Sequence, residues 1–227
     1  RLSKLGILRD SGHEHFNGCA VFPIFSEEGE VLGMYGRRTT FAKNSGAPHL
    51  YLPGPHRGVW NVQALAAAKE VILCEAVIDA LSFWCAGFRN VIASYGVNGF
   101  TDDHAEAFRK HGTRRVLIAY DRDEAGEKAA AELAGQLKKN GLEVYRIHFP
   151  KGMDANDYAL AVRPAERSLG LAIRKAVWLG DGPAPAEEPG GALSVAAASS
   201  FPSLENARES VGEVETKSGP APSAEAE

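Results

Sequence analysis

The chain has 227 residues, of which 44% are hydrophobic and 24% charged, and its net charge is −4. These values are typical of globular proteins and exclude a collagen-like chain, a disulfide scaffold and disorder throughout. No run of about 18 apolar residues is present, which argues against a membrane partner, and the chain starts at Arg1 without a leader. We therefore expect a cytoplasmic protein and a fragment of a longer one.

The first 58 residues predict a small β-rich unit. Two apolar runs, 19–25 and 31–35, flank a polar turn that contains Gly29, which is typical of a β-hairpin. Pro23 cannot donate a ladder hydrogen bond, so we expect the first run to be an edge strand. Basic side chains follow the hairpin in a segment rich in glycine and proline, among them Arg37, Arg38, Lys43 and Arg57.

Residues 59–181 predict a second domain of alternating strands and helices. Short apolar runs at 70–74, 90–95, 115–120 and 143–149 predict strands, and they alternate with helical patterns at 61–69, 76–86, 102–110, 125–140 and 169–179. Buried strands separated by helices indicate an α/β fold with a parallel sheet covered by helices on both faces.

Residues 182–227 differ in composition from the rest of the chain. They are rich in Pro, Ala, Ser and Gly, and eight acidic and two basic side chains give them a net charge of −6. Such a segment buries too little apolar surface to offset the entropy of ordering, so we predict a disordered tail or linker. The remaining residues, 1–181, carry a net charge of +2.

The three cysteines, Cys19, Cys74 and Cys85, form no Cys-x-x-Cys pair and lie in apolar surroundings. This pattern favours reduced core cysteines and gives no zinc site within the fragment.

Acidic residues fall just after three of the predicted strands. Glu75 and Asp79 follow the first, Asp121 and Asp123 the third, and Asp154 the fourth. Since the carboxyl ends of parallel strands share one edge of the sheet, these carboxylates are expected to converge there. Their mutual repulsion would be relieved by a hard divalent cation, so the pattern predicts a site for Mg²⁺ or Mn²⁺.

An alternative interpretation of these acids stays open. Asp123 could cap the helix that begins near Ala125, and Asp79 could be an ordinary acid in the first turn of its helix. Likewise, Arg37 and Arg38 could belong to a solvated loop.

The sequence EAVID at 75–79, followed by YDRDEAG at 120–126, resembles the acidic motifs of the Toprim domain. Further stretches are similar to the catalytic core of bacterial DnaG-type DNA primases: FPIF at 22–25, GMYGRR at 33–38, YLPGPHRG at 51–58 and KGMDAND at 151–157. The resemblance covers roughly residues 15–162. It implies a Toprim sheet flanked by helices at 59–181, preceded by the small β-rich subdomain.

This resemblance also implies a function. The chain would join ribonucleoside triphosphates on a single-stranded DNA template, with Mg²⁺ or Mn²⁺ as cofactor. Glu75, Asp121 and Asp123 would be catalytic, and all three would hold metal together with Asp79 and Asp154. Residues of the basic unit would bind template or nucleotide phosphates; these are Arg37, Arg38, Lys43 and Arg57.

Two features depart from the family pattern. Ala76 stands where Toprim domains often have glycine, and the third motif reads Asp-Ala-Asn-Asp rather than Asp-Pro-Asp, which leaves open whether Asn156 or Asp157 makes the last contact. The zinc-binding and helicase-contacting regions of such primases have no counterpart here, so a replicative helicase would bind through missing regions. Related proteins also occur in plasmids and transposons, which makes a mobile element one possible origin.

Two other functions remain open on the sequence. A metal-dependent Toprim nuclease would use the same acids to cut DNA, and a non-catalytic DNA-binding module would keep the fold alone. The basic first unit favours the primase, since its motifs lie outside the Toprim fold.

Overall fold

The computed structural model describes residues 1–39, 47–186 and Pro189. Lys43 and nearly all of the predicted tail at 182–227 lie outside the described residues. Within these ranges, no helix combines the length and the apolar character that crossing a bilayer requires.

The N-terminal unit is a three-stranded antiparallel sheet in the order β1-β2-β3. Its strands are β1 (Cys19–Phe25), β2 (Val31–Arg38) and β3 (His49–Tyr51). β1 contains Pro23 and lies at the edge of the sheet, which confirms the edge position predicted from this proline. The central strand β2 ends in Arg37 and Arg38, so both basic residues lie on this sheet rather than in a free loop.

The second sheet has five strands in the order β5-β4-β6-β7-β8, and all neighbours are parallel except the antiparallel pair β7 and β8. The strands are β4 (Glu70–Cys74), β5 (Val91–Ala93), β6 (Arg115–Ala119), β7 (Glu143–Arg146) and β8 (Val177–Trp178). The predicted α/β class is therefore confirmed.

Six helices accompany the strands in the described part of the chain. They are α1 (Gln63–Ala67), α2 (Val77–Cys85), α3 (Asp102–His111), α4 (Glu124–Lys139), α5 (Ala155–Ala161) and α6 (Ala165–Arg174).

Alternate residues of the central strands pack into two separate hydrophobic cores. In β4, Ile72 and Cys74 belong to the core that includes α2, α5 and α6, whereas Val71 and Leu73 belong to the core that includes α3 and α4. Because both faces of the sheet are covered, every residue of β4 and β6 is buried, which explains the apolar runs at 71–74 and 116–119.

The chain changes direction in the sheet between β4 and β6. After β4 it adds β5 on one side, and it then crosses to β6 on the other side, with Cys74 paired opposite Ala119. In parallel α/β sheets, the crevice at the carboxyl ends of two such strands is the usual place for a ligand. Here Glu75 directly follows β4, and Asp121 lies two residues after the end of β6.

Three predictions about local structure were wrong. The predicted helix 169–179 ends at Arg174, because Val177 and Trp178 pair with Arg146 and Tyr145 at the edge of the sheet. The predicted strand 143–149 ends at Arg146. Cys85 is exposed at the end of α2, whereas Cys74 is buried as expected.

Candidate metal centre and nucleic-acid interface

Three carboxylates from separate segments meet at the carboxyl edge of the sheet. Asp79 lies in the first turn of α2, Asp121 follows β6, and Asp154 precedes α5. One carboxylate oxygen of each lies within 4.8 Å of the others. The predicted convergence of acids from three strand ends is thus present in the structure for these residues.

Backbone N–H groups of α5 hold two of these side chains in place. Asp79 is 2% exposed and accepts a hydrogen bond from the Asn156 backbone N–H at 3.3 Å. The Ser82 hydroxyl donates to Asn156 Oδ1 at 3.2 Å. Asp154 caps α5 by accepting from the Asp157 N–H at 2.6 Å. Asn156 therefore contributes through its backbone and through its contact with α2, while Asp157 is exposed.

The loop that carries Asp121 is held by a buried arginine that the sequence analysis missed. Arg146, 2% exposed, donates through Nη1 to the carbonyl of Tyr120 at 3.0 Å and through Nη2 to the carbonyl of Asp121 at 3.1 Å. Its Nη2 also lies 3.0 Å from Glu127 Oε1. An arginine within a predicted buried strand was the available clue, since a buried guanidinium needs several acceptors.

Glycine at position 126 lets the start of α4 approach this loop. A Cβ atom at Gly126 would overlap the backbone carbonyl of Asp121. We expect Gly126→Ala to lower the free energy of unfolding by about 1–3 kcal/mol, because backbone atoms cannot move aside without displacing the acid.

Gly135, in the same helix, has no heavy atom within 4 Å of the corresponding Cβ position and is the matched control. Gly135→Ala should stabilise the protein by about 1 kcal/mol, since alanine is the better helix former. Urea denaturation measures both variants. Equal effects at the two positions would show that the close approach at Gly126 is unimportant.

Glu75 borders the three aspartates. Its backbone carbonyl accepts from the Gly96 N–H at 3.0 Å, which fixes the start of the loop. The side-chain atom Oε2 is buried and has no hydrogen-bond partner among the described residues. Burial, followed by the charge of Asp121, raises the pKa of Glu75 to about 7. A carboxyl with a near-neutral pKa and a free oxygen is suited to exchanging a proton.

Burial also disfavours the ionised form of the three aspartates. Burial and the charges of Asp154 and Asp123 raise the pKa of Asp121 to about 6. Burial, followed by Asp154 and Asp121, raises the pKa of Asp79 well above its ordinary range, and burial raises the pKa of Asp154. In the described ranges, none of these carboxylates nor Glu75 forms a salt bridge with a lysine or arginine. The four carboxylates therefore have no direct ion-pair partner in the described ranges, and the charges of Arg146 and Arg37 offset theirs only in part.

Asp123 occupies a different position. It is exposed, it is the N-cap of α4, and its Oδ1 accepts from the Gly126 N–H at 2.8 Å. This is the capping role that the sequence left open as an alternative. Asp123 contributes no atom to the group of three aspartates, although its charge reaches Asp121 and Glu75.

Of the basic residues predicted to bind phosphates, Arg37 acts on the acids electrostatically, because its charge lowers the pKa of Asp154. Arg37 Nη1 lies 2.6 Å from His49 Nε2, and His49 Nδ1 lies 2.9 Å from the hydroxyl of buried Tyr35. Arginine only donates, so Nε2 accepts and Nδ1 carries the proton. Arg38 Nε donates to the carbonyl of Ala47 at 3.4 Å, and Arg57 is exposed.

The donor set fits a hard divalent cation. Carboxylate oxygens are the ligands that Mg²⁺ and Mn²⁺ prefer, and three of them lie close enough to share one ion. The unpartnered Oε2 of Glu75 and the raised carboxyl pKa values indicate that the protein alone leaves these groups incompletely stabilised.

Residues 72–159 match the family model described as Toprim-like. This range contains all four carboxylates of the site. The chain contains a Toprim-like domain. The match begins within β4 and ends within α5, so the domain comprises the central strands of the second sheet and the segments that bring Asp79, Asp121 and Asp154 together.

The similarity to known proteins extends beyond the Toprim domain. A DNA primase of Listeria monocytogenes is 32% identical over 171 residues, covering 69% of this chain and 26% of the relative. The crystal structure of the Aquifex aeolicus primase, containing zinc-binding and RNA polymerase domains, matches with a TM-score of 0.62 at 26% identity, covering 74% of this chain and 42% of that chain.

A DnaG primase catalytic domain bound to single-stranded DNA matches with a TM-score of 0.64 at 23% identity, covering 78% of this chain and 58% of that one. The Toprim domain and the sheet before it thus resemble the catalytic core of DnaG-type primases. The chain spans about a quarter of the length of the curated relatives it matches.

Proposed function

We propose that this chain is the catalytic core of a DNA primase, which joins ribonucleotides on a single-stranded DNA template. The observation that carries the proposal is the meeting of Asp79, Asp121 and Asp154 at the switch point of the sheet. Such a site suits phosphoryl transfer, because the charge of the reacting phosphate must be neutralised and its oxygens oriented.

Asp79, Asp121 and Asp154 would hold Mg²⁺ or Mn²⁺, with Glu75 at the border of the site. When bound, the ion would neutralise phosphate oxygens and orient the reacting groups. Asp123 stays a proposed contributor through its charge and its free carboxylate oxygen, in addition to capping α4.

Glu75 would act as the general base that accepts the proton of the attacking hydroxyl. The attacking group in primer synthesis is a ribose hydroxyl, which must lose its proton as it bonds to the α-phosphorus of the incoming triphosphate and pyrophosphate leaves. Glu75 Oε2 is buried, unpartnered, and belongs to a carboxyl with a pKa of about 7, so it can accept that proton near neutral pH.

The N-terminal sheet would position the anionic reactants. Arg37 is held by His49 beside Asp154, which leaves further N–H groups of its guanidinium for a phosphate oxygen. Arg38, Lys43 and Arg57 would extend this positive surface along the template. The matches to primases are much longer than residues 72–159, which favours a primase over a nuclease that needs the Toprim domain alone. A replicative helicase, if one binds, would contact regions of the relatives that this chain does not span.

A primer-extension assay tests the proposal. The chain is incubated with ribonucleoside triphosphates, Mn²⁺ or Mg²⁺ and a single-stranded DNA template, with and without a pre-annealed RNA primer that separates extension from initiation. We expect template-dependent RNA products, their loss in EDTA, and an intact end-labelled template. Cleavage of the template would instead identify a nuclease, and metal binding without synthesis or cleavage would indicate a non-catalytic module.

A further inference from the structure

Three rings form an aromatic cluster at the carboxyl edge of the second sheet. His56 stacks on Tyr95 with a centroid separation of 4.5 Å and an interplanar angle of 10°. Tyr51 meets the edges of both, 4.8 Å from His56 and 5.4 Å from Tyr95. Tyr51 ends β3 of the N-terminal sheet, whereas Tyr95 follows β5, so the cluster joins the two sheets.

This cluster borders the acidic site. The residue after Tyr95, Gly96, donates its backbone N–H to the carbonyl of Glu75 at 3.0 Å. Burial, followed by the charges of Glu75 and Asp79, raises the pKa of Tyr51, so both carboxylates act electrostatically on its hydroxyl. A group bound against the rings would therefore lie next to any phosphate held at the carboxylates.

His56 is exposed, yet its ring is held parallel to the ring of Tyr95. The loop that carries it is stiffened by Pro53 and Pro55, and the Tyr95 hydroxyl donates to the carbonyls of Arg57 at 2.6 Å and Gly58 at 2.9 Å. In the described part of the chain, the imidazole makes no hydrogen bond or ion pair of its own. It also belongs to no group of side chains able to share a metal ion there. What it presents to solvent is an aromatic face backed by a second ring.

We propose that His56 is a stacking platform for a nucleobase that binds beside the carboxylate cluster. The inference rests on the proposed function and adds the part of the substrate that the acids cannot bind. A base is the ligand of choice because every base offers a flat π face, and aromatic rings bind such faces without regard to sequence. The base can belong to the DNA strand or to a nucleoside triphosphate.

The first experiment uses the strand. Binding of a fluorescent (dT)₁₂ oligonucleotide is measured by anisotropy in EDTA, over a range of salt concentrations. We expect His56→Ala to weaken binding about tenfold and His56→Phe to restore it, with the salt dependence unchanged because stacking releases no counterions. His13→Ala, at an exposed histidine in the N-terminal segment, is the matched control. By contrast, Arg38→Ala should flatten the salt dependence.

An oligonucleotide with abasic sites at every position should bind the wild type and His56→Ala equally. The second experiment titrates ATP with Mg²⁺ into the same proteins by calorimetry. Loss of affinity in His56→Ala with rescue by His56→Phe, in either arm, supports the proposal and identifies the source of the base.

Equal binding of wild type and His56→Ala in both arms would overturn the proposal, as would a failure of phenylalanine to rescue. The oligonucleotide arm contains neither metal nor synthesis, so its outcome is independent of the proposed catalytic activity.

Discussion

We expect Asp121→Asn and Asp79→Asn each to abolish Mn²⁺ binding measured by calorimetry and to lower nucleotide incorporation by about 10²- to 10³-fold. Both residues supply an oxygen to the group of three within 4.8 Å. An asparagine has nearly the same shape but removes the negative charge on which a divalent cation depends. The folded state should survive, since burial already disfavours the ionised form of both side chains.

Two control variants distinguish the loss of a carboxylate at the metal site from the loss of a carboxylate elsewhere in the protein. Asp102→Asn removes an exposed carboxylate in the first turn of α3 and should change neither metal affinity nor activity. Asp123→Asn preserves the cap of α4, because asparagine caps as well as aspartate, so stability should be unchanged. Any loss of metal affinity in Asp123→Asn then measures its role beyond capping. Wild-type metal affinity in Asp121→Asn would remove the site from the account.

We expect stability to depend on pH in opposite directions with and without metal: it should fall with rising pH in EDTA and rise with pH when Mg²⁺ is bound. Folding raises the pKa of Glu75 from 4.5 to about 7 and that of Asp121 from 3.8 to about 6. Between the unfolded and folded values, the folded chain binds more protons than the unfolded chain, so stability is lost as the pH rises through this window. In EDTA, the protein should therefore melt at a higher temperature at pH 5.5 than at pH 7.5, relative to the Glu75→Gln/Asp121→Asn double variant.

With saturating Mg²⁺ the trend should reverse. The ion competes with protons for the same carboxylates, so its affinity should fall about tenfold per pH unit between pH 7 and 6 and more steeply below. The Mg²⁺-induced rise in melting temperature should be large at pH 7.5 and nearly absent at pH 5.5. Comparison with the double variant removes the pH dependence that arises elsewhere in the protein. An equal Mg²⁺-induced rise at both pH values would mean that the metal binds elsewhere.

The order of strands and helices and the convergence of the acids could be predicted from the sequence. Periodicity identifies buried strands such as β4 and β6, and the geometry of parallel sheets brings the acids after their carboxyl ends to one edge. The edge strand Val177–Trp178 could not be predicted, because two residues carry no periodicity and their pairing depends on β7.

Local sequence also could not divide the roles of neighbouring acids. Asp121 and Asp123 are two residues apart, and only the geometry of α4 shows that one lies with Asp79 and the other caps the helix. The support from Arg146 and the stacking of His56 on Tyr95 depend on contacts between residues distant in sequence. A pattern of residue types does not specify such contacts.

The central claim is that Asp79, Asp121 and Asp154 share one divalent ion. Crystals of the chain grown with Mn²⁺, measured near the manganese absorption edge, test it directly through anomalous difference density. If the three aspartates share one ion, a peak is expected about 2.1 Å from an oxygen of each aspartate, with Glu75 beside it. Absence of that peak at saturating Mn²⁺, with the three carboxylates instead neutralised by lysine or arginine side chains, would contradict it.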